Sequence, residues 1–176
     1  WILLNKYLLF SGSDKKIKSN EVQIYTGYHF MLTYSDVQEI YWRNHGTTQY
    51  FKRGYCDNLF YTDGVMDVQH SLEAYWVVDN VISYMPKILE RFRRYESTYY
   101  TVEIVLNKEY SGYMEVYAED YNDNGDFDEH ITIIKQDIPF IDLPYNEDEE
   151  LTSYKMYLRI LSYEKEQFVL LLPTED

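Results

Sequence analysis

Between Tyr113 and Glu119 the side chains alternate without a slip. Met114, Val116 and Ala118 fall on one side, and Glu115, Tyr117 and Glu119 on the other. A period of two is the spacing of a β-strand, so this segment belongs to a sheet with one covered face and one wet face. Residues 98–106 repeat the pattern, with Tyr100, Val102, Ile104 and Leu106 sharing a face. Further strands are expected over 130–135, 154–161 and 167–172. Pro139 and Pro144 bracket an edge or a loop, and Asn146–Glu150 (NEDEE) reads as a solvated acidic loop.

The first hundred residues are mixed. Residues 1–10 suit a strand or a short helix, 11–20 a polar loop, and 22–34, rich in aromatic and β-branched residues, a strand. Ser35 or Asp36 is placed to cap a short helix, with Glu39 answering from the third position. Thr48–Lys52 and Leu59–Thr62 make a strand pair, and Thr62-Asp63-Gly64 reads as a turn. The main helix is expected from Asp67 or Ser71 to about Met85, apolar all round and therefore buried. Pro86 restarts or kinks it, and Arg91, Arg93 and Arg94 suit the negative pole at its end. The expectation is an α+β fold, a mostly antiparallel sheet packed on a central buried helix in a single domain. Residues 1–35 form an N-terminal extension or extra strands, and 36–176 form the domain.

With 176 residues the chain buries a core without help from disulfides or metals. Cys56 is its only cysteine, which excludes an intrachain disulfide and fits a reducing, cytoplasmic setting. The opening decapeptide, broken by Asn5 and Lys6, reads as neither a signal peptide nor a membrane span. Charge is divided unevenly. Residues 1–102 carry 11 acidic and 11 basic side chains, whereas residues 103–176 carry 19 and 5, so the net charge of −14 lies in the second part. That field disfavours direct contact with nucleic-acid phosphates or an anionic membrane and favours a protein with a basic surface.

Three sets of residues are candidates for chemistry or binding. Asp63, His70 and Asp79 supply a carboxylate–imidazole set suited to general acid–base work, set against a turn former and a helix anchor. Asp79, inside an apolar helix face, needs a donor such as His70, a tyrosine hydroxyl or a backbone N–H. Asp120, Asn122, Asn124, Asp126 and Asp128 follow the start of a Ca²⁺ loop, with Gly125 at the sixth position. Ile131 stands where a bidentate Glu is required, and Asn124-Gly125 favours a hairpin tip instead. Glu103, Glu115, Tyr117, Glu119, Asp120, Asp123, Asp126, Asp128 and Glu129 would form an anionic, tyrosine-bearing surface for a partner's basic groove, imitating phosphate spacing. No cofactor is expected, because phosphate-loop, GxSxG and HExxH patterns are missing and no histidine pair has zinc-like spacing.

Several phrases carry a resemblance: His45-Gly-Thr-Thr-Gln-Tyr-Phe51, Phe60-Tyr-Thr-Asp-Gly-Val65, Ala74-Tyr-Trp-Val-Val-Asp-Asn-Val-Ile-Ser83, Gln136-Asp137-Ile138-Pro139 and Leu170-Leu-Leu-Pro-Thr-Glu175. Over roughly residues 37–174 the chain resembles an uncharacterised bacterial and phage family, domain of unknown function 6876. The resemblance implies a small α+β domain found on mobile elements and brings no catalytic residues. With the charge, it suggests a non-enzymatic inhibitor of a nucleic-acid-handling host protein. The alternatives are a small enzyme or ligand-binding domain centred on Asp63, His70 and Asp79, and a Ca²⁺-binding structural module.

Overall fold

Helix α1 (Tyr34–Arg43) begins at Thr33, earlier than the sequence suggests. The Thr33 hydroxyl accepts the Asp36 N–H at 3.3 Å, and the Asp36 carboxylate accepts the Thr33 N–H at 2.6 Å. The reciprocal cap therefore uses Thr33 and Asp36 in place of Ser35 or Asp36 with Glu39. Tyr34 consequently leaves the strand expected over 22–34. This computed structural model describes residues 32–121 and 127–176, without the side chains of 120, 121 and 127–129. The expectations for residues 1–31 and for the 122–126 turn lie outside the described residues.

Strands β1 (Tyr50–Phe51) and β2 (Leu59–Thr62) pair antiparallel, as expected. The next segment departs from expectation. Thr62-Asp63-Gly64 is a helix start, because Thr62 caps α2 (Asp63–Leu72) by accepting the Val65 N–H at 3.3 Å. The single helix expected from 67 or 71 to 85 is divided. Glu73 takes a left-handed backbone at φ 53°, which ends α2, and α3 (Trp76–Tyr95) starts three residues on. Glycine usually marks such a stop, so a glutamate there hides it.

Helix α3 runs through Pro86, which is exposed. Val77, Val78, Val81, Tyr84, Met85, Ile88, Leu89 and Phe92 are buried, while Asp79, Ser83, Lys87, Glu90 and Arg94 are exposed. The helix is thus amphipathic, and the expectation of an apolar surface all round is corrected. The polar residues that spoil it, Asp79 and Ser83, fall on the wet side.

Five further strands complete the chain: β3 (Tyr99–Asn107), β4 (Gly112–Tyr121), β5 (Phe127–Ile138), β6 (Leu151–Ser162) and β7 (Gln167–Leu171). They join one seven-stranded sheet in the order β1-β2-β7-β6-β3-β4-β5, antiparallel except for the parallel pair β2 and β7. The result is the expected α+β architecture. Tyr100, Val102, Ile104, Leu106, Met114, Val116, Met156, Leu158, Phe168 and Leu170 form one hydrophobic cluster with all three helices. Each large aliphatic side chain buried there stabilises the fold by about 1.5–3 kcal/mol. The opposite face is drier than simple alternation suggests. Thr101, Val105, Glu115, Tyr117, Val169 and Leu171 are buried on it as well.

Glu96 ends α3 as Glu73 ends α2, with φ 53°. A Cβ in that conformation costs about 1 kcal/mol, which glycine avoids. Glu96→Gly is therefore expected to raise the stability in urea unfolding by about that amount. A loss of stability would show that the Glu96 side chain contributes more than its backbone strain costs.

Candidate functional site

Three of the sequence phrases meet at one carboxylate. The last residues form a 3₁₀ turn (Pro173–Glu175) that brings Glu175 to the first turn of α2. One Glu175 oxygen accepts the Gly64 N–H at 3.2 Å and the Thr47 hydroxyl at 3.3 Å. The other accepts the Thr62 hydroxyl at 2.6 Å and the Leu172 N–H at 2.9 Å. A carboxylate at a helix N-terminus satisfies free N–H groups and opposes the positive pole. A Cβ at Gly64 would lie 2.7 Å from the Glu175 carboxylate, so a larger residue there must displace that side chain from this position. Beside it, Asp63 accepts the Thr48 N–H at 3.3 Å and bonds the Thr48 hydroxyl. Burial pushes the Asp63 carboxyl up, and the bonds from Thr48 outweigh it and leave it below the ordinary range.

A cavity of about 340 Å³ opens next to this corner, lined by Thr47, Tyr50, Thr62, Arg159, Leu171 and Glu175 among others. Both Glu175 oxygens already accept two bonds, which leaves the carboxylate poorly suited to act as a base. Arg159 is tied to Asp176. The corner is built to hold the C-terminal turn against α2.

The Asp63, His70 and Asp79 set is distributed over separate partners. Asp63 serves Thr48 at the start of α2. The Tyr75 hydroxyl meets His70 Nδ1 at 2.9 Å near its end. Asp79 accepts Arg53 Nε at 3.1 Å and the Tyr55 hydroxyl at 2.8 Å. Of the donors expected for Asp79, a tyrosine hydroxyl is the one found, although the carboxylate is about half exposed and not embedded. Arg53 also donates to the buried Gln69 at 3.0 Å and lies over the Tyr61 and Tyr75 rings at 5.7 and 5.9 Å. It ties the loop after β1 to α2 and α3. Among the described residues no hydrogen bond links Asp63, His70 and Asp79 to one another.

Glu103, Glu115 and Tyr117 do come together, on the sheet face away from the helices. Register places Lys155, Glu103, Glu115 and Lys135 side by side across β6, β3, β4 and β5. Glu115 accepts Thr132 Oγ1 at 2.5 Å and His130 Nε2 at 3.1 Å, with Lys135 Nζ at 3.5 Å. Glu103 accepts Ser153 Oγ at 2.5 Å and faces Lys155 at 3.7 Å. Burial raises the Glu115 carboxyl, and the bonds from Thr132 and His130 together with the Lys135 charge bring it below its ordinary value. Tyr117 stacks on His130 with ring centroids 3.9 Å apart. Burial first, then the Glu103 charge, holds its phenol well above the usual range. The two central carboxylates are thus matched by cations within the sheet. Glu119 pairs in register with His130. Asp123 and Asp126 lie outside the described residues, and so do the side chains of Asp120, Asp128 and Glu129.

A different acidic surface stands at the end of the sheet where β3 turns into β4 and β5 leads to β6. Glu109, Asp137, Asp142 and residues Glu147 to Glu150 are all exposed there. Among the described residues none of them has a cation within ion-pair distance. Lys108 is the one cation of segments 108–111 and 137–150. The segments are packed together: the Ile141 N–H donates to the Tyr110 carbonyl at 2.7 Å, and Trp76 Nε1 donates to Asp142 at 3.0 Å. Phe140, Leu151 and Tyr110 stand among the carboxylates, 68%, 52% and 41% exposed. Sequence reasoning noted the NEDEE loop as solvated but could not join it to Glu109 and Asp137 without the strand register. It missed Glu175, Arg53 and the lysines facing Glu103 and Glu115 for the same reason. The Ca²⁺ candidates Asp120, Asn122, Asn124, Asp126 and Asp128 cannot be placed from the described side chains. Elsewhere among the described residues no group of three or more His, Cys, Asp or Glu is arranged for a metal ion. No described helix is long and apolar enough to cross a membrane.

The model of a family of unknown function, DUF6876, matches residues 35–176, and the chain belongs to that family. The match agrees with the span of the resemblance seen in the sequence. No curated protein and no solved structure matches the chain.

Two outcomes are expected from this geometry. Gly64→Ala forces the Glu175 carboxylate off its four donors and should cost about 1–3 kcal/mol in chemical denaturation. The loss should be strongly non-additive with Glu175→Ala. Additive losses would mean that the two residues do not act through one contact. For Glu115, a carboxyl lowered on folding contributes stability that is present above its unfolded pKa, near 4.5, and is lost as pH falls through the folded value. Glu115→Gln should therefore destabilise by about 1–3 kcal/mol at pH 7 and show a shallower loss between neutral pH and pH 3. An unchanged acid slope contradicts the assignment.

Proposed function

We propose that this member of the DUF6876 family is a non-enzymatic binding domain that engages a basic protein surface through the acidic end of its sheet. One observation carries the reading: Glu109, Asp137, Asp142 and residues 147–150 have no cation beside them among the described residues, whereas Glu103 and Glu115 do. Unmatched carboxylates raise the rate of encounter with a cationic partner. Phe140, Leu151 and Tyr110 supply the apolar contact area that charge alone lacks. The binding surface is thereby moved from the middle of the sheet, as first expected, to its end.

The partner class that fits is a protein whose basic groove serves nucleic acid, and an inhibitor from a phage or mobile element would act by occupying that groove. Strict imitation of phosphate spacing by Glu103 and Glu115 draws no support from the geometry, since both are paired within the sheet. An enzyme centred on Asp63, His70 and Asp79 draws none either, because the three serve different partners.

The test compares capture from a bacterial lysate by the wild type and by a variant carrying Glu147→Gln, Asp148→Asn, Glu149→Gln and Glu150→Gln. A cognate partner should be held by the wild type at low salt, released at about 0.5 M salt, and bound about tenfold more slowly by the variant. A partner held equally by both proteins at both salt concentrations would overturn the reading.

A further inference from the structure

The two edges of the sheet differ. At one, β1 is two residues long and offers a neighbouring strand little to pair with. At the other, β5 runs for twelve residues and, among the described residues, pairs with β4 alone. Alternate residues along its outer side turn an N–H and a C=O away from β4, which makes that side a template for another strand. A bulge and a proline mark out its regular part. Val116 pairs with Ile134 but Tyr117 with Thr132, so the register slips at Ile133, and Pro139 follows the last strand residue. Between these limits lies Ile134-Lys135-Gln136-Asp137-Ile138.

These five residues are complementary to themselves. Ile134, Gln136 and Ile138 point toward the helices: Ile134 belongs to the core cluster, Ile138 packs against it, and Gln136 accepts the Tyr84 hydroxyl at 2.5 Å. Lys135 is on the opposite face, where it meets Glu115 at 3.5 Å, and Asp137 shares that face two residues on. Directly opposed residues of an antiparallel pair point to one face, so a two-fold axis within this segment has to pass through a residue. Through Lys135 or Asp137 it would set like charges against each other. Through Gln136 it sets Lys135 of each copy against Asp137 of the other, and Ile134 against Ile138. Both faces then match, with ion pairs on the open face and apolar contacts that continue the core cluster on the helix face.

We propose that β5 is a self-association edge, which pairs antiparallel with β5 of a second copy around Gln136 and continues the sheet across a two-fold axis. Lys135, Gln136 and Asp137 are all exposed. Asp137 has no cation within ion-pair distance among the described residues, and the pairing supplies one. The Lys135 side chain is about half exposed, and its three N–H donors have capacity for a second carboxylate besides Glu115. A second copy fits better than a foreign strand because the order of charge and apolar side chains complements itself when reversed. The pairing uses Asp137 but none of residues 147–150, so it does not rest on the basic partner proposed above.

The experiment is sedimentation equilibrium of the purified chain at about 0.15 M salt, which screens the repulsion between two copies of net charge −14. The wild type is compared with Asp137→Lys, with Lys135→Asp and with the two variants mixed. The expected result is a concentration-dependent dimer of the wild type, weakened about tenfold by Asp137→Lys. That substitution makes the chain less negative, so general charge repulsion predicts the opposite change. Mixing the two variants should restore the dimer, because lysines then face aspartates across the axis. If Lys135→Asp fails to fold, Asp137→Lys against the wild type still decides the matter. A wild type that stays monomeric at about 1 mM, or a dimer that survives Asp137→Lys unchanged, would overturn the proposal. Amide exchange locates the contact: protection at residues 134–138 should rise with protein concentration. Protection equal at all concentrations would mean an occupant other than a second copy and would overturn it too.

Discussion

The Glu175 carboxylate is the contact on which the assembly of the domain turns. It gathers Thr47 from the loop before β1, Thr62 and Gly64 from the start of α2, and the Leu172 N–H from the chain beyond β7. Thr47, Thr62 and Gly64 lie more than a hundred residues before Glu175 in the sequence, and these segments flank β2 and β7, the one parallel pair in the sheet. A parallel pair cannot be closed by a hairpin. Here β2 and β7 are held by the sheet on one side and by this corner at their ends. Four donors on one carboxylate also give a physical role to the glycine and two threonines in the sequence phrases that meet here. Their roles are steric and hydrogen-bonding, and catalysis need not be invoked.

The same logic sorts the surplus charge. Carboxylates in the middle of the sheet face neighbours on both sides at strand spacing, so an unmatched charge there would be expensive. Glu103 and Glu115 accordingly have Lys155 and Lys135 beside them, and Glu115 also has His130 and Thr132. Carboxylates at the end of the sheet face water and need no such match. Glu109, Asp137, Asp142 and residues 147–150 accordingly stand at the β3–β4 turn, the end of β5 and the loop between β5 and β6, next to exposed apolar side chains.

Much of the fold was legible because period-two alternation is a strong signal where a sheet has a covered face. The residues read as inward in β3 and β4 are inward, and the α+β architecture followed from them. Helix boundaries were less legible. The stops at Glu73 and Glu96 use a left-handed backbone on a residue that does not advertise it, and Asp63-Gly64 opens a helix while looking like a turn. The sites were legible only as residue types. Whether Glu115 is free or matched depends on which residues register opposite it, and nothing local in the sequence carries that pairing. Arg53 and Glu175 were hidden in the same way, since each finds its partners across long separations in the chain.

Amide hydrogen exchange of Glu175→Gln against the wild type addresses the central claim most directly. The substitution keeps the shape of the side chain and removes the charge that binds the α2 N-terminus. The expected result is faster exchange at Gly64 and Leu172, with the amides of the β3–β4 ladder unchanged. Equal protection of Gly64 and Leu172 in both proteins would contradict the account, because the corner would then hold without the carboxylate.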